Sequence, residues 1–271
     1  MRPVSLAGIG LFCSAGEGAS AATGGEPGPV PGFRARNYIQ DRKMIKVMSR
    51  SVQLGVSAIQ IALDESENWE TVPPERRGMY VGTTPLGGDP KDLLPALDVS
   101  TAASGELSMS EFATKGYERI HPLWLIRGLS NNILGLAAAI HNFQGVNANY
   151  CSGDRSGAIA LMEAYWAVAE SRADLVVAGA ADAMVEFSEK WMGLPGGEGA
   201  AFFVLRASNP ADSFRLSLDE SPKRIEEGVD VEENLGYLGA TGGVVGLARR
   251  LFSDGQASMT LENNRVLRIF R

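Results

Sequence analysis

The chain has 271 residues, 45% of them hydrophobic, which is enough to bury a full core in one large domain or in two tightly joined halves. The net charge of −7 and the sequence pI near 5 argue against nucleic acid or an anionic membrane as a partner. The two cysteines come without a CxxC motif or a Cys/His cluster, which argues against a disulfide framework and a structural zinc site.

The N-terminal segment is apolar for only a short stretch and lacks a basic region followed by a longer apolar one. It therefore predicts a first strand and not a signal peptide. No apolar run approaches the ~20 residues that are needed to span a bilayer. These features, with the low cysteine content, predict a reduced, cytoplasmic protein.

Apolar runs alternate with amphipathic stretches along the chain. In chain order the predicted elements are strand 3–10, loop 24–32, helix 41–64 with Asp41 as its N-cap, strand 78–82, helix 125–143, strand 145–150, helix 154–170, strands 173–180 and 199–205, a polar linker 209–233, helix 237–252, and strands 257–261 and 265–270. Strands that are apolar throughout predict an α/β fold with helices on both faces of the sheet.

Few residues suit acid–base or nucleophilic chemistry. His141 ends a predicted helix, where a surface or C-terminal capping position is expected, and His121 precedes a proline, which favours a turn or an interface contact. Cys151 comes at the end of a strand, about three residues before a helix, and is expected to be a buried small hydrophobe. The glycine clusters match neither a Walker A motif nor GxGxxG, so a nucleotide site is not predicted.

Four segments carry a resemblance to a known family. RPVSLAGIGLFCSAGE, RRGMYVGTTPLGG, GVNANYCSGDRSGAIALMEA and ADLVVAGAADAM resemble, in order and spacing, the successive landmarks of β-ketoacyl synthases. The resemblance implies a thiolase-like layered α/β/α/β/α fold. Because the chain is much shorter than the family's usual length, the fold is expected to be truncated in its C-terminal half.

The family's nucleophile motif falls on residues that cannot perform its chemistry. When Gly145 takes the leading glycine and Ser156-Gly157 takes the S-G that follows the nucleophile, the cysteine position falls on Asp154. An aspartate cannot form a thioester with an acyl chain, and at the first turn of a helix it is expected to be a favourable N-terminal charge or a cap.

The histidine motifs are altered as well. The first is absent, and the second resembles EENLGYLGATG, which puts Glu232 at the lysine position and Tyr237 at the histidine position. The resemblance thus divides the chain into a ketosynthase-like half over 1–208, a linker replacing a deleted segment over 209–233, and a remnant of the C-terminal half over 234–271.

Chain-length factors of type II polyketide systems resemble ketosynthases in this way: they lack the nucleophile, pair with an active ketosynthase and shape the tunnel that holds the growing chain. This chain resembles their short relatives from aryl polyene systems, in fatty-acid-like biosynthesis. The resemblance implies a non-catalytic partner of a ketosynthase that meets acyl carrier protein indirectly and needs no cofactor or metal. Two alternatives are a residual malonyl-acyl carrier protein decarboxylase using Tyr237 or Asp154, and a free-standing module that binds acyl chains or acyl carrier protein.

The same resemblance implies two surfaces. In the family, the strand before the nucleophile pairs across a two-fold axis, and nearby apolar segments border the tunnel. The partner-interface candidates are His121, Leu125, Val146, Asn147, Ala148, Asn149 and Tyr150. The tunnel candidates are Leu93, Leu94, Leu97 and Trp124, and packing in the core is the alternative for Trp124.

Overall fold

The structure, a computed structural model, describes residues 1–85, 92–208, 212–220, 233–261 and 265–271. Its strands are β1 (Val4–Cys13), β2 (Gly16–Glu17), β3 (Arg77–Gly82), β4 (Asn147–Tyr150), β5 (Leu175–Ala183), β6 (Glu198–Ala207), β7 (Phe214–Glu220), β8 (Ala257–Thr260) and β9 (Arg265–Phe270). Its helices are α1 (Arg42–Val47), α2 (Arg50–Glu65), α3 (Leu94–Ser100), α4 (Met109–Glu111), α5 (Trp124–Gly128), α6 (Asn132–His141), α7 (Ser156–Ala169), α8 (Val185–Phe187) and α9 (Gly242–Asp254).

The described strands form one mixed sheet in the order β4-β3-β5-β6-β1-β7-β9-β8, with β2 paired to β1. Strands β3, β4 and β5 are parallel to one another, whereas β6 is antiparallel to both β5 and β1. The β1–β7 pairing is confined to Val4–Leu6. This short contact joins the C-terminal strands to the rest of the sheet.

The sheet carries a hydrophobic core on each face. One core packs α2 and α6 against side chains such as Phe202 and Val177. The other packs α7 and α9 against the opposite side chains of the same strands, such as Phe203 and Val176. Successive side chains of a strand point to opposite faces, so strands that are buried on both faces must be apolar throughout.

Helices α7 and α9 also contact the C-terminal strands. Helix α9 contacts β1, β6 and β8, and its residues from Gly242 to Arg249 are buried. On α7, Tyr165 hydrogen-bonds to the backbone of Leu218, and Trp166 lies 5.5 Å from the guanidinium carbon of Arg265. The strands β7, β9 and β8 therefore cover α7 and α9 on the side away from β1–β6.

The outer face of β7–β9 is largely polar. Arg215, Ser217 and Asp219 alternate with inward residues, and Arg268 of β9 lies 3.6 Å from the Asp219 carboxylate. A sheet face with this pattern is stable in water without a covering helix layer. Among the described residues the order of layers is thus helix, strand, helix, strand, which is the predicted five-layer arrangement without its last helix layer, as expected for a fold truncated in its C-terminal half.

Four sequence-based predictions differ from the structure by more than three residues, one of them being the helix predicted at 237–252, since α9 begins only at Gly242. The helix predicted at 41–64 is broken between Val47 and Arg50, although Asp41 does cap α1 by accepting from the backbone of Lys43 and Met44. The helix predicted at 125–143 is likewise broken, into α5 and α6. The linker predicted at 209–233 is wrong over Phe214–Glu220, which form β7; the division of the chain into two halves stays a prediction.

The approach of α2 to β1 predicts a sharp difference between two glycine substitutions. A Cβ on Gly10 would lie 1.8 Å from the carbonyl oxygen of Ala58 in α2, whereas a Cβ on Gly135 in α6 would meet nothing within 4 Å. Gly10→Ala should lower the free energy of unfolding by about 2 kcal/mol or more, because sheet and helix must separate. Gly135→Ala should raise it by about 0.5–1 kcal/mol through helix propensity. Urea denaturation measures both, and equal effects would contradict the packing described.

Candidate functional site

The position assigned to the nucleophile lies at the carboxyl edge of the parallel strands. After β4 the chain makes a short 3-10 turn over Gly153–Arg155, which contains Asp154, and then enters α7. The loops that follow β3 and β5 reach the same edge. In open α/β sheets this edge is where binding residues gather.

Asp154 and Tyr237 meet there. The Tyr237 hydroxyl donates a hydrogen bond of 2.7 Å to Oδ1 of Asp154, and both residues are half-buried. Burial raises the pKa of Tyr237 well above its usual value, and the hydrogen bond and the charges of Asp154 and Asp182 raise it further. The phenol therefore stays protonated and donates to the carboxylate. Glu232, the third altered position, lies outside the described residues.

Asp154 is not the N-cap of α7, so the prediction that it caps this helix is wrong. The N-cap position belongs to Arg155, whose side chain makes no capping bond. The turn is instead tied by Ser156, whose hydroxyl donates to the carbonyl of Gly153 at 2.7 Å and accepts from the amide of Ser152 at 2.8 Å. The Asp154 carboxylate is thereby left to accept from Tyr237.

Small residues bring these elements together. A Cβ on Gly82, at the end of β3, would lie 2.5 Å from the backbone nitrogen of Gly157 in α7. A Cβ on Gly157 would in turn lie 2.7 Å from the carbonyl oxygen of Ala240, in the turn before α9. These approaches place the start of α7 directly against the start of α9.

Sequence reasoning did not single out Asp182, which lies beside this pair. It occupies the end of β5, is 3% exposed, and accepts hydrogen bonds from Thr84 Oγ1 at 3.0 Å, Thr84 N at 3.3 Å and Ala240 N at 2.7 Å. Burial raises the pKa of Asp182 to about 7 although these donors lower it. An acid within the otherwise apolar run AGAADAM was the available signal.

Strand β4 is an edge strand of the described sheet, with β3 as its neighbour. Residues Val146 to Tyr150 are accordingly not deeply buried, and Cys151, which follows them, is exposed. The prediction of a buried Cys151 is therefore wrong, because no described strand covers β4 on its outer side. The Cys151 thiol lies 3.4 Å from Thr83 Oγ1.

The backbone N–H and C=O groups of successive β4 residues point alternately toward β3 and toward the free side of the strand. The carbonyls of Val146 and Tyr150 accept from Met79 N and Thr83 N of β3 at 2.9 Å each. By alternation, the backbone N–H and C=O groups of Asn147 and Asn149 point to the free side. Their side-chain amide nitrogens are used within the chain, Asn147 toward Gly145 O and Asn149 toward Thr83 and Cys151.

The tunnel candidates lie in the segment between β3 and β4. Leu94 opens α3 and is 36% exposed, whereas Leu93, Leu97 and Trp124 are half-buried. An ion pair of 3.3 Å between Asp92 and Arg127 links the start of α3 to α5, the helix of Trp124. The structure thus brings the two tunnel segments close to each other.

The two histidines lie away from Asp154 in the fold. His121 is exposed and its Nδ1 accepts from the backbone N–H of Leu123, as expected for a turn residue. The side chain of Leu125, another partner-interface candidate, lies outside the part of the chain that the structure describes. His141 does end α6, but it is 7% exposed and packs edge-on against Trp69, so the prediction of a surface position is wrong. Burial lowers the pKa of His141 to about 4, and the charge of Asp64 opposes this shift.

No helix among the described residues is long and apolar enough to cross a membrane. No protein-family model matches the sequence, and no curated protein matches it.

Solved structures with the same fold do exist. The ishigamide ketosynthase/chain length factor matches with a TM-score of 0.66 and 16% identity, over 98% of this chain and 98% of that one. A type II polyketide synthase acyl-carrier protein in complex with its ketosynthase bound to the hexaketide matches with a TM-score of 0.61 and 18% identity, over 83% and 71%. A β-ketoacyl synthase from Burkholderia phymatum matches with a TM-score of 0.54 and 18% identity, over 81% and 65%. The predicted ketosynthase-like, thiolase-like fold is confirmed.

The lowered pKa of His141 predicts an acid-dependent loss of stability. Between pH 6.5 and about 4 the unfolded chain binds a proton that the folded chain does not, so the free energy of unfolding falls as the pH falls. The stability of the native chain minus that of His141→Gln should drop by about 3 kcal/mol across this window. Asp182 acts in the opposite direction, but the subtraction cancels its contribution. Urea denaturation at stepped pH measures this; a difference that stays constant would contradict it, and His121→Gln is the matched control.

Proposed function

We propose that this chain is a non-catalytic chain-length factor that pairs with an active ketosynthase, stabilises it and shapes its acyl tunnel. The observation that carries the proposal is the Asp154–Tyr237 hydrogen bond of 2.7 Å. It occupies the positions that the sequence resemblance assigns to a nucleophilic cysteine and a histidine. A carboxylate held by a phenol offers neither a thiolate for acylation nor an imidazole to activate one.

The edge position of β4 favours the binding of a partner subunit along this strand. An exposed edge presents unpaired backbone donors and acceptors, and such an edge is a template for pairing with another chain. Asn147 and Asn149 carry those groups here, while Ala148 and Tyr150 pack inward toward α7. A strand from the partner subunit would extend the sheet across the interface.

Exposed apolar side chains between β3 and β4 are a second observation in favour of a partner interface. Many of the large apolar residues exposed in the described chain lie between β3 and β4, an unusual concentration for a surface without a partner. They are Leu94, Val99, Leu107, Met109, Tyr117, Ile126, Leu129 and Ile140. In the proposed complex they meet the ketosynthase and border its acyl tunnel.

The comparison over full length favours this function over the alternatives. The ishigamide ketosynthase/chain length factor is matched over 98% of both chains, so a protein of nearly this extent carries the fold. A residual decarboxylase was expected to use Tyr237 or Asp154, but the raised pKa of Tyr237 keeps the phenol protonated and bound to the Asp154 carboxylate, so neither group is free for proton transfer near neutral pH. A free-standing acyl-binding module would leave the apolar surface between β3 and β4 without a role.

A proline substitution tests the edge pairing. Asn147→Pro removes an N–H that points to the free side, and so leaves the bonds to β3 in place. It should weaken the complex with a partner ketosynthase, chosen for its intact cysteine and two histidines, by about tenfold or more. The measurement is co-purification followed by titration of the two subunits.

Two further variants are controls for the Asn147→Pro experiment. Asn147→Ala keeps the N–H and should bind as the native chain does. Ala148→Pro removes an N–H that faces β3 and should lower the melting temperature of this chain itself. Native affinity in a correctly folded Asn147→Pro protein would show that β4 is not the pairing edge.

The tunnel candidates predict a change of product length. Leu94→Ala or Trp124→Ala removes bulk next to the proposed tunnel, and the surroundings refill such volume only partly. The product should therefore lengthen, or its distribution broaden, in an intact complex supplied with acyl carrier protein and malonyl units. Gel filtration first confirms assembly, and mass spectrometry reads the chain-length profile. Leu194→Ala, at an exposed leucine outside the segment between β3 and β4, is the matched surface control. If truncation of Leu93, Leu94, Leu97 and Trp124 each left the profile unchanged, the subunit would be a scaffold only.

A further inference from the structure

The turn before α9 is held by two carboxylates from different parts of the chain. Asp154, at the start of α7, accepts from the Tyr237 hydroxyl, and Asp182, at the end of β5, accepts from the Ala240 backbone at 2.7 Å. The anchored residues are three apart, so both ends of one short turn are fixed. We propose that Asp182 is a positioning residue that sets the Asp154–Tyr237 pair, and that these contacts clasp the C-terminal segment to the rest of the fold.

The clasp is specific in its geometry. Gly239, between the two anchors, has φ +55°, and a Cβ there would lie 2.6 Å from Oδ2 of Asp182 and 2.8 Å from Cγ2 of Thr84. Only glycine accommodates both the backbone conformation and the approach of the carboxylate. Any shift of the Asp182 side chain therefore moves the turn as a whole.

The backbone around Tyr237 leaves its hydroxyl dependent on this turn. Tyr237 N donates to Pro195 O at 2.8 Å, and Gly197 N donates to Tyr237 O at 3.0 Å. These bonds fix the Tyr237 backbone, while Ala240 fixes the other end of the turn. The orientation of the Tyr237 ring depends on these backbone bonds and on the bond between Ala240 N and Asp182. Loss of the Asp182 bond should therefore loosen the contact between the Tyr237 hydroxyl and Asp154.

Electrostatics gives Asp182 a further effect on the pair. The charged groups that face the phenol are Asp154 and Asp182, and both favour its protonated form. The groups around Asp182 are the Thr84 hydroxyl and amide, the Ala240 amide and the charge of Asp154. Both acids thus keep Tyr237 a donor, and Asp182 does so without touching it.

A triple-mutant cycle tests the positioning role on the full chain. The coupling between Asp154→Asn and Tyr237→Phe is measured by urea denaturation in the native and the Asp182→Asn backgrounds. We expect a coupling of about tenfold in the unfolding equilibrium constant, falling to about twofold or less without the Asp182 carboxylate. A residue that contributed only general stability would leave the coupling of two other residues unchanged. This test needs no partner subunit, so its outcome is separate from that of the proposed function.

Tyrosine labelled with carbon-13 at Cζ gives a second readout, with Tyr237→Phe used for assignment. At neutral pH the chemical shift of the Tyr237 Cζ, which reports the hydrogen bond to Asp154, should move toward that of a solvent-exposed tyrosine in Asp182→Asn. Asp174→Asn, at the opposite end of β5, is the matched control: it breaks ion pairs with Arg2 and Arg76 and should cost stability without moving either readout. If Asp182→Asn does not fold, Thr84→Val loosens the same carboxylate while keeping its charge, and Thr84→Ser should restore the native behaviour. An unchanged coupling and an unchanged Tyr237 Cζ chemical shift in a folded variant would overturn the proposal.

Discussion

Helix α9 is buried without interruption from Gly242 to Arg249, and a helix that is buried over two successive turns must be covered on every side. Strands β1 and β6 cover one side, and β8 with its neighbour β9 covers the other. This requirement explains why a shortened chain of this fold keeps its last strands. Without β7–β9, the core that α9 shares with α7 would be open to water, and burial of that core is the main stabilising contribution to such a domain.

The sequence predicted the inner strands well, because residues buried on both faces leave an unbroken apolar run, as in VVAGA of β5. It failed at β7, where the alternation in FRLSLDE belongs to a strand with one face in water and resembles a polar linker. It also joined α1 to α2, because a local break between Val47 and Arg50 does not disturb the apolar periodicity around it. Pattern alone does not distinguish these cases.

The candidate site divides in a similar way. The order of motifs assigned Asp154 and Tyr237 to the positions of the family's cysteine and one of its histidines, and the fold brings the two residues within hydrogen-bonding distance. The capping role of Asp154 was wrong because a local rule does not account for a partner 83 residues away along the chain. Cys151 was misjudged for a related reason: its sequence gives no sign that β4 is an edge. Asp182 follows an apolar strand, and its importance emerges only from the three donors around it.

The place of β1 in the sheet has a consequence for how the chain is assembled. Its long-range neighbours are β6 and the first residues of β7. The paired residues are far apart along the chain, from Cys13 and Gly199 of β6 to Val4 and Leu216 of β7. Closing loops of this length is slow, and contacts so distant in sequence form late. During synthesis, the apolar residues of β1 emerge long before their partners exist. Until then α2, which follows within the first 65 residues and packs directly on β1, is the element available to shield them. The close fit at Gly10 thus also serves the unfinished chain, where a helix and a lone strand must hold together before the sheet around them is built.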